Sequence, residues 1–295
     1  MDVDKTGDLV TTPAGPDDGD KAPAPKKGGG RNLPIAFAVG ISLGGLVLVS
    51  LYTVKEIFLA VMIVFLCLGA RELADALKAR EIQVPFPPIV AGMAASPLAA
   101  YFWGARGLVA VVALTVLAVM IARMLAGSDG YVRDMTAGVF VTGYLVLMGG
   151  IVALLMRPDD GDHRIVIFIA TTVASDIGGY FAGTYLGRHK LAPKISPKKT
   201  WEGVSGSALT CMLVATWLLW WLLDDHRVWP GVLVGLAAVV TATVGDLMES
   251  VIKRDLGIKD MGNLLPGHGG VMDRLDSLIA TAPVVWLLLE LFVPA

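Results

Sequence analysis

Residues 164–187 read RIVIFIATTVASDIGGYFAGTYLG. A stretch this long and this apolar can cross a hydrocarbon core of about 30 Å. Its one internal charge, Asp176, lies about eleven residues from either end, or about 16 Å deep at 1.5 Å per residue. A lone carboxylate at that depth is costly and normally faces a polar cavity or a partner. Gly179, Gly183 and Gly187 recur at i, i+4 along the same helix and let a neighbouring helix pack closely.

Apolar runs of similar length occur at 33–53, 56–76, 87–104, 107–125, 135–156, 204–223, 230–250 and 275–293. Together with 164–187 they predict an all-α, polytopic integral membrane protein with about nine transmembrane helices. Of 295 residues, 55% are hydrophobic and only 17% charged, against about 25% charged in a soluble domain. Mean hydropathy is +0.68. A net charge of −2 gives no support to a nucleic-acid binder. Cys67 and Cys211 sit inside apolar runs and read as packing residues, and the scattered histidines offer no zinc spacing. Pro97 and Pro283 fall inside spans and are expected to kink them.

Orientation follows from the cations. With a cytoplasmic N-terminus, 19 of the 24 Lys and Arg fall on the cytoplasmic side, leaving Lys55, Arg106, Arg157, Arg164 and Arg227 outside. This places the C-terminus outside. Residues 1–30, rich in Asp, Pro and Gly, read as a disordered cytoplasmic tail. Their basic end either touches anionic headgroups or is a solvated linker. Residues 31–160 form the N-terminal spans, and 161–295 the catalytic region with cytoplasmic loops 187–203 and 251–274.

The first loop, GRHKLAPKISPKKTWEG (187–203), has five cations in twelve residues, two prolines that keep it extended, and the hydroxyls of Ser196 and Thr200. Such a loop suits a polyphosphate at a membrane surface. The second stretch, GDLMESVIKRDLGIKDMGNLLPGHGGVMDRLDS (245–277), concentrates acids and cations in a chain otherwise poor in both. If the eighth span continues as a helix, Asp246, Glu249, Ser250 and Lys253 share a face. Asp273 and Asp276 pair at the start of the ninth, where a helix N-terminus favours anions. Between them, Gly267-His268-Gly269-Gly270 lets backbone N–H groups approach a ligand. Carboxylates with hydroxyls beside cations with glycines describe metal-assisted phosphoryl or nucleotidyl transfer. The setting makes one substrate a nucleotide and the other a lipid headgroup.

These residues resemble the phosphatidate cytidylyltransferase family. Ser250 to Asp276 follow its signature S-x-x-K-R-x4-K-D-x-G-x2-L-P-x-H-G-G-x-x-D-R-x-D, and 174–203 resemble its other strong block. Lys198 stands where glycine is frequent, which leaves Lys199 as the matching lysine. Outside these blocks the first four spans resemble the family only in hydropathy and in Arg71-Glu72-Leu73. The resemblance implies CTP plus phosphatidic acid giving CDP-diacylglycerol and pyrophosphate, with Mg²⁺ and K⁺ as a possible second cation. It also implies a homodimer, and its metal-binding aspartates match Asp246 and Asp273.

The roles expected on this basis are as follows. Asp246 and Asp273 ligate metal, while Asp176 and Asp276 support the metal shell or orient cations. Lys199, Lys253, Arg254 and Arg274 bind phosphates, with Lys259 beside them. His268, Gly269 and Gly270 approach the nucleotide, and Ser196 and Thr200 donate hydrogen bonds. The expected location is a bacterial inner or plasma membrane with the site facing the cytoplasm. A CTP-dependent polyprenol-type lipid kinase is the alternative, and an ion-coupled transporter using Asp176 and Asp246 is a further one. A CDP-alcohol phosphatidyltransferase is excluded, because Asp129-Gly130 is followed by Val132-Arg133 out of register.

Overall fold

The structure, a computed structural model, describes residues 33–265 and 269–293. The expected tail at 1–30 and the candidate His268 lie outside the described residues. The chain is helical nearly throughout, in the order α1 (Leu33–Thr53), α2 (Lys55–Lys78), α3 (Phe86–Leu125), α4 (Tyr131–Val141), a π-helical turn (Thr142–Leu147), α5 (Met148–Met156) and α6 (Gly161–Leu186). A short antiparallel hairpin, β1 (Lys190–Ala192) and β2 (Ser196–Thr200), leads to α7 (Trp201–Leu222), α8 (Val228–Asp255) and α9 (Met272–Phe292). Among the described residues, seven helical segments are long and apolar enough to cross a membrane, and Val39–Thr53 is a shorter apolar stretch.

The outer surface is apolar. Leu125, Tyr185, Trp103 and Trp221 are among many large hydrophobic side chains left exposed, an arrangement suited to lipid and not to water. Inside, Phe58, Ile165, Phe168, Leu219 and Leu289 pack in one core between α2, α6, α7 and α9. A second core joins α2, α3 and α9 through Leu73, Met93 and Met272.

The 40-residue α3 reverses on itself. Gly104 alone departs from helical dihedrals, at φ 69° and ψ −156°, a left-handed φ that favours glycine. A Cβ on Gly92 would run into Thr115, so the two halves lie side by side as a hairpin. The two expected spans 87–104 and 107–125 are these halves. The helices continue through Pro97 and Pro283, and the reversal falls at Gly104.

Hydrogen bonds sort the loops into two ends. At one end Arg80 donates to Leu256 O (3.0 Å), and the Gln83 N–H donates to Asp134 (3.1 Å). At the other, Lys55 reaches Pro158 O (2.7 Å), Arg164 reaches Val293 O (2.7 Å) and Arg227 reaches Phe292 O (2.7 Å). These two groups are the ones that the charge count separates. The buried Asp134 also holds Arg123 (2.9 Å) of α3, which ties α3 to α4, and its neighbour Arg133 (2.9 Å) within α4.

Candidate active site

The site begins where α6 and α7 come together. Gly178 and Gly206 lie at their contact, where a Cβ on the first would meet Thr210 and on the second Ala182. That close approach aligns Ser207 and Thr210, whose hydroxyls donate to Ser175 O (2.6 Å) and Ala174 O (2.9 Å). The glycine repeat of α6 packs in the same way, since a Cβ on Gly179 would lie 2.6 Å from Ser207 Oγ and one on Gly187 3.0 Å from the Thr200 side chain, and its consequence is a cleft beside it. The cleft has a volume of about 220 Å³ and is lined by Asp176, Lys199, Thr200, Ser207, Thr243 and Asp246, among others.

Loop 187–203 closes the cleft. The extended backbone expected from Pro193 and Pro197 is realised as the β1–β2 hairpin, with Lys190 opposite Thr200 and Ala192 opposite Ser196. Thr200 is buried and caps α7, its oxygen accepting from the Gly203 N–H at 3.1 Å. Its expected donor role therefore shares the hydroxyl with a structural one. Lys199 turns inward and meets Asp246 Oδ2 at 2.6 Å and Thr243 O at 3.4 Å. Lys198, by contrast, is exposed at the rim. Asp176 opens onto the same cleft, within electrostatic range of Asp246, Lys199 and Arg274.

A second cluster lies along α8 and the start of α9. Lys253 Nζ bridges Glu249 Oε2 (2.5 Å) and Asp273 Oδ1 (2.8 Å). The other oxygen of Asp273 accepts the N–H of Gly270 (2.9 Å) and of Met261 (3.1 Å). Asp276 is buried, accepts from the Ser277 N–H (2.6 Å), and lies within electrostatic range of Asp246, Glu249 and Lys253. Ser250 donates to Asp246 at 3.4 Å, which connects the clusters along α8. Arg254 reaches Ile195 O at 3.5 Å and ties α8 to the hairpin. Gly269 sits at φ +88° in the bridge with Leu265, while Lys259 is exposed.

Arg274 stands apart from its neighbours in chemistry. Among the described residues it is the one charged residue lining an apolar groove of about 530 Å³, whose walls include Leu51, Phe65, Phe168, Ala170 and Val173.

The donor set was expected to hold Mg²⁺, and its chemistry fits. The acids supply hard oxygen ligands. Glu249 Oε1 is buried without a hydrogen-bond partner, an unspent carboxylate oxygen inside the cluster. No three of His, Cys, Asp or Glu converge into a ready cage among the described residues. That is compatible with Mg²⁺ in nucleotide sites, where one or two carboxylates act together with substrate phosphates.

Two acids escaped the expected set. Glu249 could be read from its i, i+3 spacing to Asp246. Glu72 was marked only by the resemblance in Arg71-Glu72-Leu73, which gave it no role, because its partners lie about two hundred positions downstream in the chain.

Residues 35–292 match the cytidylyltransferase family, and the chain belongs to that family. It is thus an enzyme of nucleotidyl transfer built into a membrane bundle. More particularly, it is 39% identical over 278 residues to the phosphatidate cytidylyltransferase of Mycobacterium leprae, covering 89% of each chain. The Mycobacterium bovis phosphatidate cytidylyltransferase is 37% identical over 275 residues, 89% of this chain and 90% of the other. An uncharacterised Escherichia coli protein, YnbB, is 45% identical over 135 residues, covering 44% of this chain and 45% of its own.

Proposed function

We propose that this chain transfers the cytidylyl group of CTP to phosphatidic acid, giving CDP-diacylglycerol and pyrophosphate. The observation that carries the reading is the convergence of Lys199, Asp246 and Asp176 on one cleft, beside a groove that is apolar except for Arg274. Polar phosphates suit the first and a lipid with an anionic head suits the second.

The chemistry asks little of a general base. A phosphate monoester is mostly dianionic at neutral pH, because its second pKa is about 6. The difficulty is repulsion as one anion approaches the α-phosphorus of another. Lys199 and Arg254 hold nucleotide phosphate oxygens, and Arg274 holds the lipid phosphate at the mouth of its groove. Fixed cations of this kind stabilise charge that develops on the leaving pyrophosphate. Asp246 and Asp273 would hold Mg²⁺, Asp176 and Asp276 would orient the cations around them, and the same carboxylates could share a K⁺. The bound metal would supply Lewis-acid neutralisation of the phosphate charge. The N–H groups of Gly269 and Gly270 donate within the loop, to Leu265 O and Asp273 Oδ2, so these glycines shape the site, and Ser196 offers a hydroxyl at the start of β2.

In this reading the chain crosses the membrane nine times. Its N-terminus and active site face the cytoplasm of a bacterial inner membrane, and two copies associate. Light scattering of the detergent-solubilised protein tests the dimer. The activity is tested with purified protein, CTP and phosphatidic acid, with and without Mg²⁺. Pyrophosphate release dependent on both substrates is the expected result. Release of CDP instead would identify a lipid kinase.

A further inference from the structure

We propose that Glu72, in the last turns of α2, is the positioning residue that fixes the two described flanks of the loop before α9, 261–262 and 269–272, and, through them, the carboxylate of Asp273. The inference rests on the reading above that Asp273 belongs to the transfer site. Glu72 is buried at 6% exposure, and its Oε2 accepts the N–H of Met272 at 2.9 Å. Met272 opens α9, so this is one of the helix-start donors that no intrahelical carbonyl can satisfy. A carboxylate is well suited to that position, because the N-terminus of the helix carries partial positive charge.

The contact is close on every side. A Cβ placed on Gly262 would fall on the Glu72 carboxylate, and one on Gly270 would lie 2.6 Å from its Oε2. A Cβ on Gly69, one helical turn before Glu72, would lie 3.1 Å from Leu275 Cδ1, so α2 is pressed against the start of α9. The same loop is held from its other side by Asp273, which takes the N–H groups of Met261 and Gly270. The loop is therefore clamped between two carboxylates, one from the N-terminal half and one from the active site. Glycines at 262 and 270 leave the room that Glu72 occupies.

The second oxygen of Glu72, Oε1, is buried and has no hydrogen-bond partner. Only one oxygen performs the clamping, so an amide can replace the carboxylate without losing the bond to Met272. This separates positioning from charge. Glu72→Gln should retain kcat within about threefold. Glu72→Asp, one methylene short, and Glu72→Ala should each lower kcat by about 10–100-fold, the scale of misplacing a reacting group by about 1 Å. KM for phosphatidic acid should change less than kcat in all three, since the groove walls on α1 and α6 are untouched.

The test combines these kinetics with amide hydrogen exchange of the full-length protein in detergent. Exchange should rise in peptides covering 269–275 in Glu72→Asp and Glu72→Ala, and remain at the wild-type level in α6 and α7. If Glu72→Ala does not fold, Glu72→Asp and Gly262→Ala, which pushes a methyl group into the carboxylate, give the same readouts. Wild-type kcat in Glu72→Asp, a Glu72→Gln enzyme as impaired as Glu72→Asp, or exchange raised uniformly along the chain would each overturn the proposal. Wild-type protein without cytidylyltransferase activity would instead refute the functional reading. The exchange pattern would still decide whether Glu72 holds the loop.

Discussion

Lys253→Met should destabilise the protein strongly, because Lys253 joins two acids that have few other resources. The side chains of Glu249, Lys253 and Asp273 are 1%, 15% and 6% exposed. After the substitution Asp273 keeps the N–H groups of Met261 and Gly270. Glu249 loses Lys253, and its Oε1 is already without a hydrogen-bond partner. Removing one member of a buried ion pair costs about 3–5 kcal/mol, mostly as the penalty of the stranded charge. Spread over a chain of this size, that corresponds to a melting temperature lower by about 10 °C. Neutralising the stranded acid should reverse the loss, so Glu249→Gln in the Lys253→Met background should recover at least half of it. The two substitutions should then be coupled by about 1–3 kcal/mol. Thermal unfolding in detergent, with a parallel activity assay, measures both effects. If Lys253→Met melts within about 2 °C of wild type, or if the double variant is merely additive, the description of this cluster as one interdependent unit is wrong. Activity should stay low in the double variant, because a restored fold does not restore the cation that pairs with Asp273.

Three further outcomes are expected. Lys199→Ala and Arg254→Ala should each lower kcat/KM for CTP by roughly 10–1000-fold, the scale of charged hydrogen bonds in a water-poor site, and Arg254→Lys should rescue only in part. Steady-state kinetics with each substrate varied separately will show whether the defect lies instead with phosphatidic acid. Ala170→Trp, which fills the apolar groove, should raise KM at least about tenfold for long-chain phosphatidic acid while sparing a dihexanoyl substrate, since each excluded CH₂ is worth about 0.8 kcal/mol; equal effects on both chain lengths would remove the groove from the lipid site. At the opposite end of the molecule, Arg227 holds the Asp225 carboxyl below its ordinary range. The stabilisation from that pair is present above the ordinary carboxylate pKa of about 3.9 and is lost as pH falls through the lower folded value. Asp225→Asn should therefore melt below wild type at pH 7, and the gap should close in strong acid.

Much of this architecture is written in local chemistry. The run 164–187 carries its own membrane assignment, and the cations separate by side because their loops do. The second loop is legible as a site because acids, cations and glycines lie together within 245–277. What is missing from the sequence is whatever depends on tertiary approach. The reversal at Gly104 is one residue in a 40-residue helical stretch, and neither Pro97 nor its apolar surroundings announce it. The π-helical turn at Thr142–Leu147 has no composition that distinguishes it from the helix on either side. The resemblance marks Lys199 over Lys198, but the physical reason lies in the hairpin, which turns alternate side chains to opposite faces. Arg274 reads as a phosphate ligand within the signature. That it also borders an apolar groove requires α1, α2 and α6, which lie more than a hundred residues away.

The central claim is that the α-phosphate of CTP moves onto an intact lipid phosphate. Two parallel incubations of the purified protein with phosphatidic acid and Mg²⁺, one with CTP labelled at the α-phosphate and one at the γ-phosphate, test it directly. The account predicts that the α-label enters the organic-extractable lipid in step with pyrophosphate release, while the γ-label stays in water. Transfer of the γ-label to lipid, or loss of neither label despite folded protein, would contradict it.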